Sequence, residues 1–130
     1  MPTFSKTSLK KLATCNPFLQ EIANEAIGYV DFTVKWGHRN RKEQNSAFNS
    51  RFSTKKWPFS KHNELPSRAF DIIPYPGGWN NKDEIFFFLA GVIFAVAKRK
   101  EIPLRWGGAW KGTFNKEGEW SDLAHFELLD

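Results

Sequence analysis

His62 and Asp71 stand in the stretch Ser60–Tyr75, SKHNELPSRAFDIIPY, with eight residues between them. The histidine lies in a polar, proline-containing loop, and the aspartate at the head of an apolar strand. A loop of that length can fold the histidine back over the strand, so that both side chains reach one point. A second stretch, Asp122-Leu-Ala-His125-Phe-Glu-Leu, can bring another histidine to the same place. Two histidines and one carboxylate, with a coordination position left open, are the ligand set of a catalytic zinc ion, which keeps a net positive charge and room for water. An aspartate beside Ile72 and Ile73 is also costly to bury unless it is paired or bound to a cation. His62, Asp71 and His125 are therefore the candidate metal ligands and Zn2+ the expected cofactor. His38 has no partner at ligand spacing and reads as an exposed turn residue.

Strand periodicity places His125 and Glu127 on one face of the last strand and Phe126 and Leu128 on the other. Asp122 lies three residues before His125, in the turn leading to the strand. From there a carboxylate can take a proton from an attacking water and return it to a leaving amine. Glu127 is the reserve for that task. Arg39 follows Gly37 at a strand end, which puts a guanidinium at the rim of the sheet. From residue type alone it reads as a solvated charge. It can also hold a carboxylate through two parallel hydrogen bonds or steady a developing oxyanion. Ser60 can orient the site through its hydroxyl, and no base stands at a spacing that would make it a nucleophile.

The elements that must position these groups follow from apolar periodicity and from helix start and stop signals. Residues 5–15 read as a helix capped by Ser5 or Thr7. A second helix starts at Asn16-Pro17 and ends near Gly28. Asp31–Trp36 alternates as a strand. Residues 43–48 form a short helix. Residues 81–99 form a long one, capped by Asn80 or Asn81, with Asp83 and Glu84 at its positive end and Lys98, Arg99 and Lys100 at its negative end. That helix is apolar on nearly all sides from Ile85 to Ala97, so it is expected to be central and buried, with Phe86, Phe87 and Phe88 all in the core. A strand at Leu104–Trp106 and a polar loop at 111–119 precede the last strand.

The chain has 130 residues, 41% of them hydrophobic and 16% aromatic, which fits one folded domain spanning 1–130. Its formal charge of +5 suits a polyanionic partner, either nucleic acid or an acidic cell wall. Arg51, Lys55, Lys56 and Lys61 alternate with Phe52, Trp57 and Phe59. Such a pattern can bind single-stranded nucleic acid, line a groove for a glycan or peptide, or form a loop pinned by aromatic anchors. The single cysteine, Cys15, excludes an internal disulfide and a cysteine-rich zinc site, and reads as a small core residue. The N-terminal MPTFSKTSLKK lacks an apolar signal core, and the thirteen-residue apolar run Ile85–Ala97 is shorter than the roughly 18–20 residues of a membrane span. A cytosolic location with no membrane insertion is expected.

Five motifs in order resemble one family. They are Gly37-His-Arg39 with Glu43-Gln44, Ser60-Lys-His62, Pro66-Ser-Arg-Ala-Phe-Asp71-Ile-Ile-Pro-Tyr, Arg105-Trp-Gly-Gly, and Asp122-Leu-Ala-His125-Phe-Glu-Leu, which together span roughly residues 10–130. The pattern is similar to the D-Ala-D-Ala carboxypeptidase family of zinc metallopeptidases, and most closely to the small phage endolysins that are L-alanyl-D-glutamate peptidases. The resemblance implies an α+β domain of the D-Ala-D-Ala peptidase/hedgehog-like kind, a small antiparallel sheet flanked by helices with zinc in a cleft on the sheet. It implies His62, Asp71 and His125 as ligands, Asp122 and Arg39 as catalytic residues, and Arg39, Gln44 and Ser60 in substrate binding or its support.

The implied function is hydrolysis of the L-Ala–D-Glu bond of the peptidoglycan stem peptide by a monomeric enzyme. Such an enzyme would wait in the host cytoplasm for a holin-type membrane hole and then reach the wall. The first alternative is the same chemistry on D-Ala-D-Ala, as a carboxypeptidase. Others are a basic nucleic-acid-binding module and a metal-binding relative without catalysis, for which Asp122 would serve no purpose. One position departs from the family: Ala109 stands where relatives often carry the Asp of Gly-Gly-Asp-Trp.

Overall fold

The computed structural model describes residues 2–130. Among these, four helices and four strands follow in the order α1 (Lys6–Leu12), α2 (Pro17–Ala26), β1 (Phe32–Trp36), α3 (Arg41–Asn49), β2 (Ala69–Pro74), α4 (Asp83–Arg99), β3 (Leu104–Gly107) and β4 (Asp122–Leu128). The three shorter helices start on side-chain caps, which satisfy backbone N–H groups that no helical carbonyl can reach. The Ser5 hydroxyl accepts from the N–H of Ser8, and Asn16 accepts from Phe18 with Pro17 in the first turn. Asn40 accepts from the N–H of Glu43, whose carboxylate returns the bond. A short 3-10 turn at Lys61–Asn63 carries His62 and is closed the same way, by the Ser60 hydroxyl and the Asn63 side chain.

The four strands form one sheet in the order β1-β2-β4-β3, with every neighbouring pair antiparallel. This is the expected α+β class. Central strands β2 and β4 pair Phe70 with Phe126 and Asp71 with His125. Because side chains alternate along a strand, one register puts the two phenylalanines into the core and the aspartate and histidine together on the opposite face. The core packs Phe70, Ile72 and Phe126 of the sheet against Leu19 and Ile22 of α2 and Leu89 and Ile93 of α4, all essentially inaccessible to solvent. On the other side, α3 packs against the turn that carries His62.

The structure corrects four expectations. Helix α4 is not enclosed. It buries Phe86, Leu89, Ala90, Ile93, Val96 and Ala97 on one face, whereas Ile85, Phe87 and Phe88 are exposed, Phe88 by 61%. It lies as an outer layer over the sheet, so only the positions at helical spacing toward the sheet and α2 are enclosed. Its start is at Asp83. Asn81 does not cap it but turns its side-chain amide onto the carbonyls of Pro76 and Gly78, closing the preceding turn. The first helix stops at Leu12, where Thr14 takes its own role, donating to the Lys11 carbonyl and accepting from the N–H of His38. Asp71 is the third residue of β2, flanked by Phe70 and Ile72, both fully buried. No helix among the described residues is long and apolar enough to cross a membrane.

The two faces of α4 should respond differently to mutation. Phe86→Ala should lose about 3–5 kcal/mol in urea unfolding, whereas Phe88→Ser should stay within about 0.5 kcal/mol of the parent. Equal losses would mean that α4 is covered on both sides.

Candidate metal centre

Two central strands and one turn meet on the polar face of the sheet. β2 supplies Asp71, β4 supplies His125 directly opposite it, and the Lys61–Asn63 turn folds His62 over both. His62 Nε2, Asp71 Oδ1 and His125 Nδ1 form a nearly equilateral triangle: 3.1 Å from His62 to Asp71, 3.2 Å between the histidines and 3.1 Å from His125 to Asp71. All three residues are buried.

The hydrogen bonds behind the triangle determine what can occupy it. His62 Nδ1 lies 2.7 Å from the carbonyl oxygen of Gly37, which can only accept, so Nδ1 carries a proton. Burial lowers the His62 pKa, outweighing Asp71, so the ring is neutral and Nε2 presents a lone pair to the triangle. His125 Nε2 donates to Glu127 Oε1 at 2.8 Å, which turns Nδ1 inward. Three acceptors at van der Waals contact therefore face one another. They repel unless a positive charge lies among them.

In the metal-free chain that charge is a proton. Burial alone would lower the His125 pKa, but hydrogen bonds to Asp71 and Glu127 override it and raise the value to about 9. Burial likewise opposes ionisation of Asp71, yet the two histidines hold its carboxyl well below the usual range. A divalent ion fits the same place. Tetrahedral zinc with bonds of about 2.0–2.1 Å keeps its ligand atoms roughly 3.3 Å apart, close to the spacing seen, and this donor set of two imidazoles and one carboxylate suits it. The buried His-Asp-His group can thus hold a metal ion.

Supporting contacts surround the triangle. Arg39 Nη2 donates to Asp71 Oδ2 at 2.7 Å, leaving Oδ1 to face the histidines, and its guanidinium lies over the Trp36 ring. Glu127 is held in turn by Lys61 at 3.2 Å, and Lys61 also donates to the Leu128 carbonyl. Burial would raise the Glu127 pKa, but His125 and Lys61 bring it down to about 2. Glu127 is therefore committed to orienting His125, in the manner of a carboxylate–histidine–metal relay, and is not free as a proton acceptor.

Asp122 lines the cleft of about 510 Å³ that opens over the triangle, together with Ser60, Trp110, Trp120 and Lys55. It is the first residue of β4, not a turn residue, and pairs with Gly107. Burial and the charge of Asp71 raise its pKa to about 7, against the lowering effect of His125 and Arg39. A carboxyl near neutrality beside a cation site can both take and give a proton at physiological pH. Its place depends on Gly107, where a Cβ would stand 2.0 Å from the Asp122 carbonyl oxygen.

The structure thus brings together His62, Asp71, His125, Arg39 and Asp122. Ser60 reaches the cleft wall, and its Oγ accepts from the N–H of His62 at 3.2 Å. Gln44 does not reach the cleft. It is wholly buried, donates to the Lys55 carbonyl and Ser53 Oγ, and accepts from Asn63. Its place is beneath the 53–55 loop, holding that loop to the His62 turn. Ala109, where relatives often have Asp, packs toward the core, and Asn115 supports this loop by donating to the Gly107 carbonyl and accepting from Trp110 N–H. His38 is half-buried and away from the triangle, with Nδ1 near the Glu64 carbonyl.

Sequence reading missed the Gly37 carbonyl that fixes the His62 tautomer, because a main-chain acceptor carries no residue-type signal. It also missed the wall formed by Trp110 and Trp120, whose rings stack at 5.8 Å and 10°. Their symmetric placement about a polar loop was the available sign.

Comparison with known proteins agrees with this geometry. The family model described as phage L-alanyl-D-glutamate peptidase matches residues 2–129. The L-alanyl-D-glutamate peptidase of Escherichia phage T5 is 34% identical over 126 residues, covering 92% of this chain and 86% of the phage protein. The crystal structure of the Serratia marcescens L-Ala D-Glu endopeptidase ChiX superposes with a TM-score of 0.76 at 26% identity, covering 97% of this chain and 89% of that one.

Metal and proton should compete at His125. Its folded pKa of about 9 exceeds the ordinary 6.5, so in the metal-free chain its ion pairs stabilise fully below about 6.5, and that contribution is lost as pH rises through 9. Calorimetric titration with Zn2+ at pH 7.5, run in two buffers of different ionisation enthalpy, should therefore show about one proton released per ion. Glu127→Gln should weaken Zn2+ binding by about 10–100-fold. A buffer-independent enthalpy would show that His125 is already neutral.

Proposed function

We infer the activity from one premise: the chain belongs to the phage L-alanyl-D-glutamate peptidase family. It is a peptidoglycan endopeptidase that hydrolyses the L-Ala–D-Glu bond of the stem peptide, with Zn2+ as its working ion. The observation that carries this reading is the triangle of three converging acceptors in an open cleft with Asp122 beside it. A closed structural site would have a fourth protein ligand, and a purely structural ion would have no use for an uncoordinated carboxyl beside it.

His62, Asp71 and His125 would hold the ion. When bound, it supplies a fixed positive charge that acidifies water and polarises the amide carbonyl. The rest is work of the chain's own groups. Asp122, which lines the cleft beside the triangle, accepts a proton from the attacking water and delivers it to the departing nitrogen of D-Glu. His125 would hold the ion through Nδ1 as a neutral imidazole, its Nε2–H donating to Glu127, and Arg39 keeps the Asp71 carboxylate rotated with Oδ1 inward. Arg39 also brings a second positive charge to the edge of the cleft, where oxyanion character develops as the carbonyl is attacked. Ser60 and Gln44 serve from behind, the first by closing the His62 turn and the second by fastening the loop that walls the cleft.

In this reading residues 1–130 work as one catalytic domain and as a monomer. The place of action is the host wall, reached from the cytoplasm through a holin-type hole. The kinship with a phage enzyme supports that setting.

Digestion of purified peptidoglycan, with mass spectrometry of the fragments, tests the reading. Metal-loaded protein should create new L-Ala carboxyl and D-Glu amino ends, and chelator should abolish them. Asp122→Asn should lower kcat by about 10^2–10^4-fold while its metal content stays that of the parent. Release of terminal D-Ala instead would assign a carboxypeptidase. No release from several wall types by folded, metal-loaded protein would refute the lytic reading.

A further inference from the structure

We propose that an apolar groove along the β3 edge of the sheet is a glycan subsite, holding the amino-sugar chain that peptidoglycan carries on the amino side of the cleaved bond. This rests on the endopeptidase reading and adds to it the direction in which substrate lies.

The groove runs between α4, β3 and the 108–121 loop, and encloses about 950 Å³, within the roughly 300–1,000 Å³ typical of ligand sites. Trp106 and Phe94 line it deep, and Phe87, Gly91 and Phe114 line it near solvent. Arg105 and Trp110 line both this groove and the metal cleft, so these two residues form the border between them at the edge strand of the sheet. The Trp110 ring lies 5.6 Å from the ring of His125, so the junction is beside the triangle.

Two features are poorly explained by folding alone. Phe114 sits at the tip of a polar loop, 71% exposed, yet its ring stacks on Phe87 at 5.7 Å and 18°. The result is a continuous aromatic wall turned to solvent, the kind of surface that soluble proteins keep for a partner. Gly91 lies in the middle of α4, where glycine costs about 1 kcal/mol relative to alanine. A Cβ there would meet nothing within 4 Å. No packing contact requires the glycine, and its absent side chain leaves the groove open.

Charge selects the occupant. Two arms leave the scissile bond. The carboxyl arm begins with D-Glu, whose α-carboxylate is free in the unamidated peptide, and it is anionic. The amino arm is L-Ala amide-linked to the lactyl group of an N-acetylated sugar, and it is uncharged. Of the cations that line the metal cleft, Arg39 and Lys61 are paired with Asp71 and Glu127, whereas Lys55 has no carboxylate partner among the described residues and suits the anionic arm. The β3 groove is mostly apolar and aromatic. Sugar rings present flat C–H faces to such rings while their hydroxyl edges stay in water, and amphipathic indoles suit that division. The glycan therefore leaves the metal cleft past Trp110 and lies along Phe114, Phe87 and Gly91.

The test compares two substrates of identical stem sequence, one carrying its disaccharide and one with only an acetyl cap on L-Ala. Gly91→Phe fills the groove and Phe114→Ala removes its wall; Gly91→Ala is the control. The first two should raise KM for the sugar-bearing substrate by about tenfold, a loss of roughly 1.4 kcal/mol, and leave both constants on the capped peptide unchanged. Gly91→Ala should match the parent on both. In parallel, peptide-free glycan oligosaccharides should quench the tryptophan fluorescence of the metal-free parent saturably, and should not do so with Gly91→Phe.

Equal losses on both substrates, or no loss on either, would overturn the proposal. So would a concentration-dependent dimer, seen by sedimentation and abolished by Gly91→Phe, with glycan binding absent; that result would give the groove to a second copy. If the parent cleaves neither substrate, the endopeptidase reading fails, and the oligosaccharide titration alone decides the groove.

Discussion

Three acceptor atoms held 3.1–3.2 Å apart cannot rest against one another without a positive charge among them. That constraint governs the structure around them. A proton borrowed by His125 satisfies it in the bare chain, and a metal ion can satisfy it in the same place. The site is thus a cation site whether or not metal is present. Glu127 and Lys61 continue the alternation of charge outward from His125, and Arg39 does so from Asp71, so that each buried ionic group has an opposite partner. Removing any one partner leaves a charge stranded at low dielectric, which costs more than the pair contributes.

The fold keeps the triangle from relaxing. Two corners are cross-strand neighbours on the central strands, so their separation is set by the ladder itself. The third corner comes from a loop and needs more fastening. His62 is tied by its ring to the Gly37 carbonyl, by its N–H to Ser60 and by its carbonyl to the N–H of Arg39. Gly37 reaches this position because it has no side chain: a Cβ would stand 2.4 Å from both the Lys11 carbonyl and Thr14 Oγ1. The end of α1, far away in sequence, thereby positions a ligand of the cleft. Beneath it, Gln44 and Asn63 link α3 to the turn through buried amide bonds that replace lost water contacts.

Much of this was legible in the sequence, for definable reasons. The meeting of His62, Asp71 and His125 was readable because an aspartate beside Ile72 and Ile73 is costly without a charge partner and because the strand period turns His125 away from Phe126. The pairing of Phe126 with the core and His125 with the site followed from strand period alone. A cap at Ser5 or Thr7, of which Ser5 serves, and the start of α2 at Pro17 were readable because helix start signals are local. What failed was non-local. Thirteen apolar residues in Ile85–Ala97 do not say how many layers cover a helix, so Phe87 and Phe88 were placed inside when the fold offers only one side. The resemblance gave Gln44 a part in substrate binding or its support, and only the second fits its buried position. The helix turns it away from the cleft, under the loop. Glu127 shares a face with His125, as its spacing says, but only the structure shows Lys61 and His125 consuming both its oxygens.

The 108–121 loop connects these themes. Its ends, Gly107 and Asp122, meet where β3 and β4 approach too closely for any side chain at Gly107. In its middle, Asn115 donates to the Gly107 carbonyl and to Ser121 and receives the N–H of Trp110. The clasp that closes the loop is therefore the one that sets the carboxyl of Asp122 over the cleft. On one side the loop presents the Trp110–Trp120 stack to the metal cleft, and on the other it lays Phe114 on Phe87 over the apolar groove. A contact on either wall would bear on a single hydrogen-bonded unit that also holds Asp122. Binding energy gained away from the reacting bond can in this way be spent on fixing the group that must act on it.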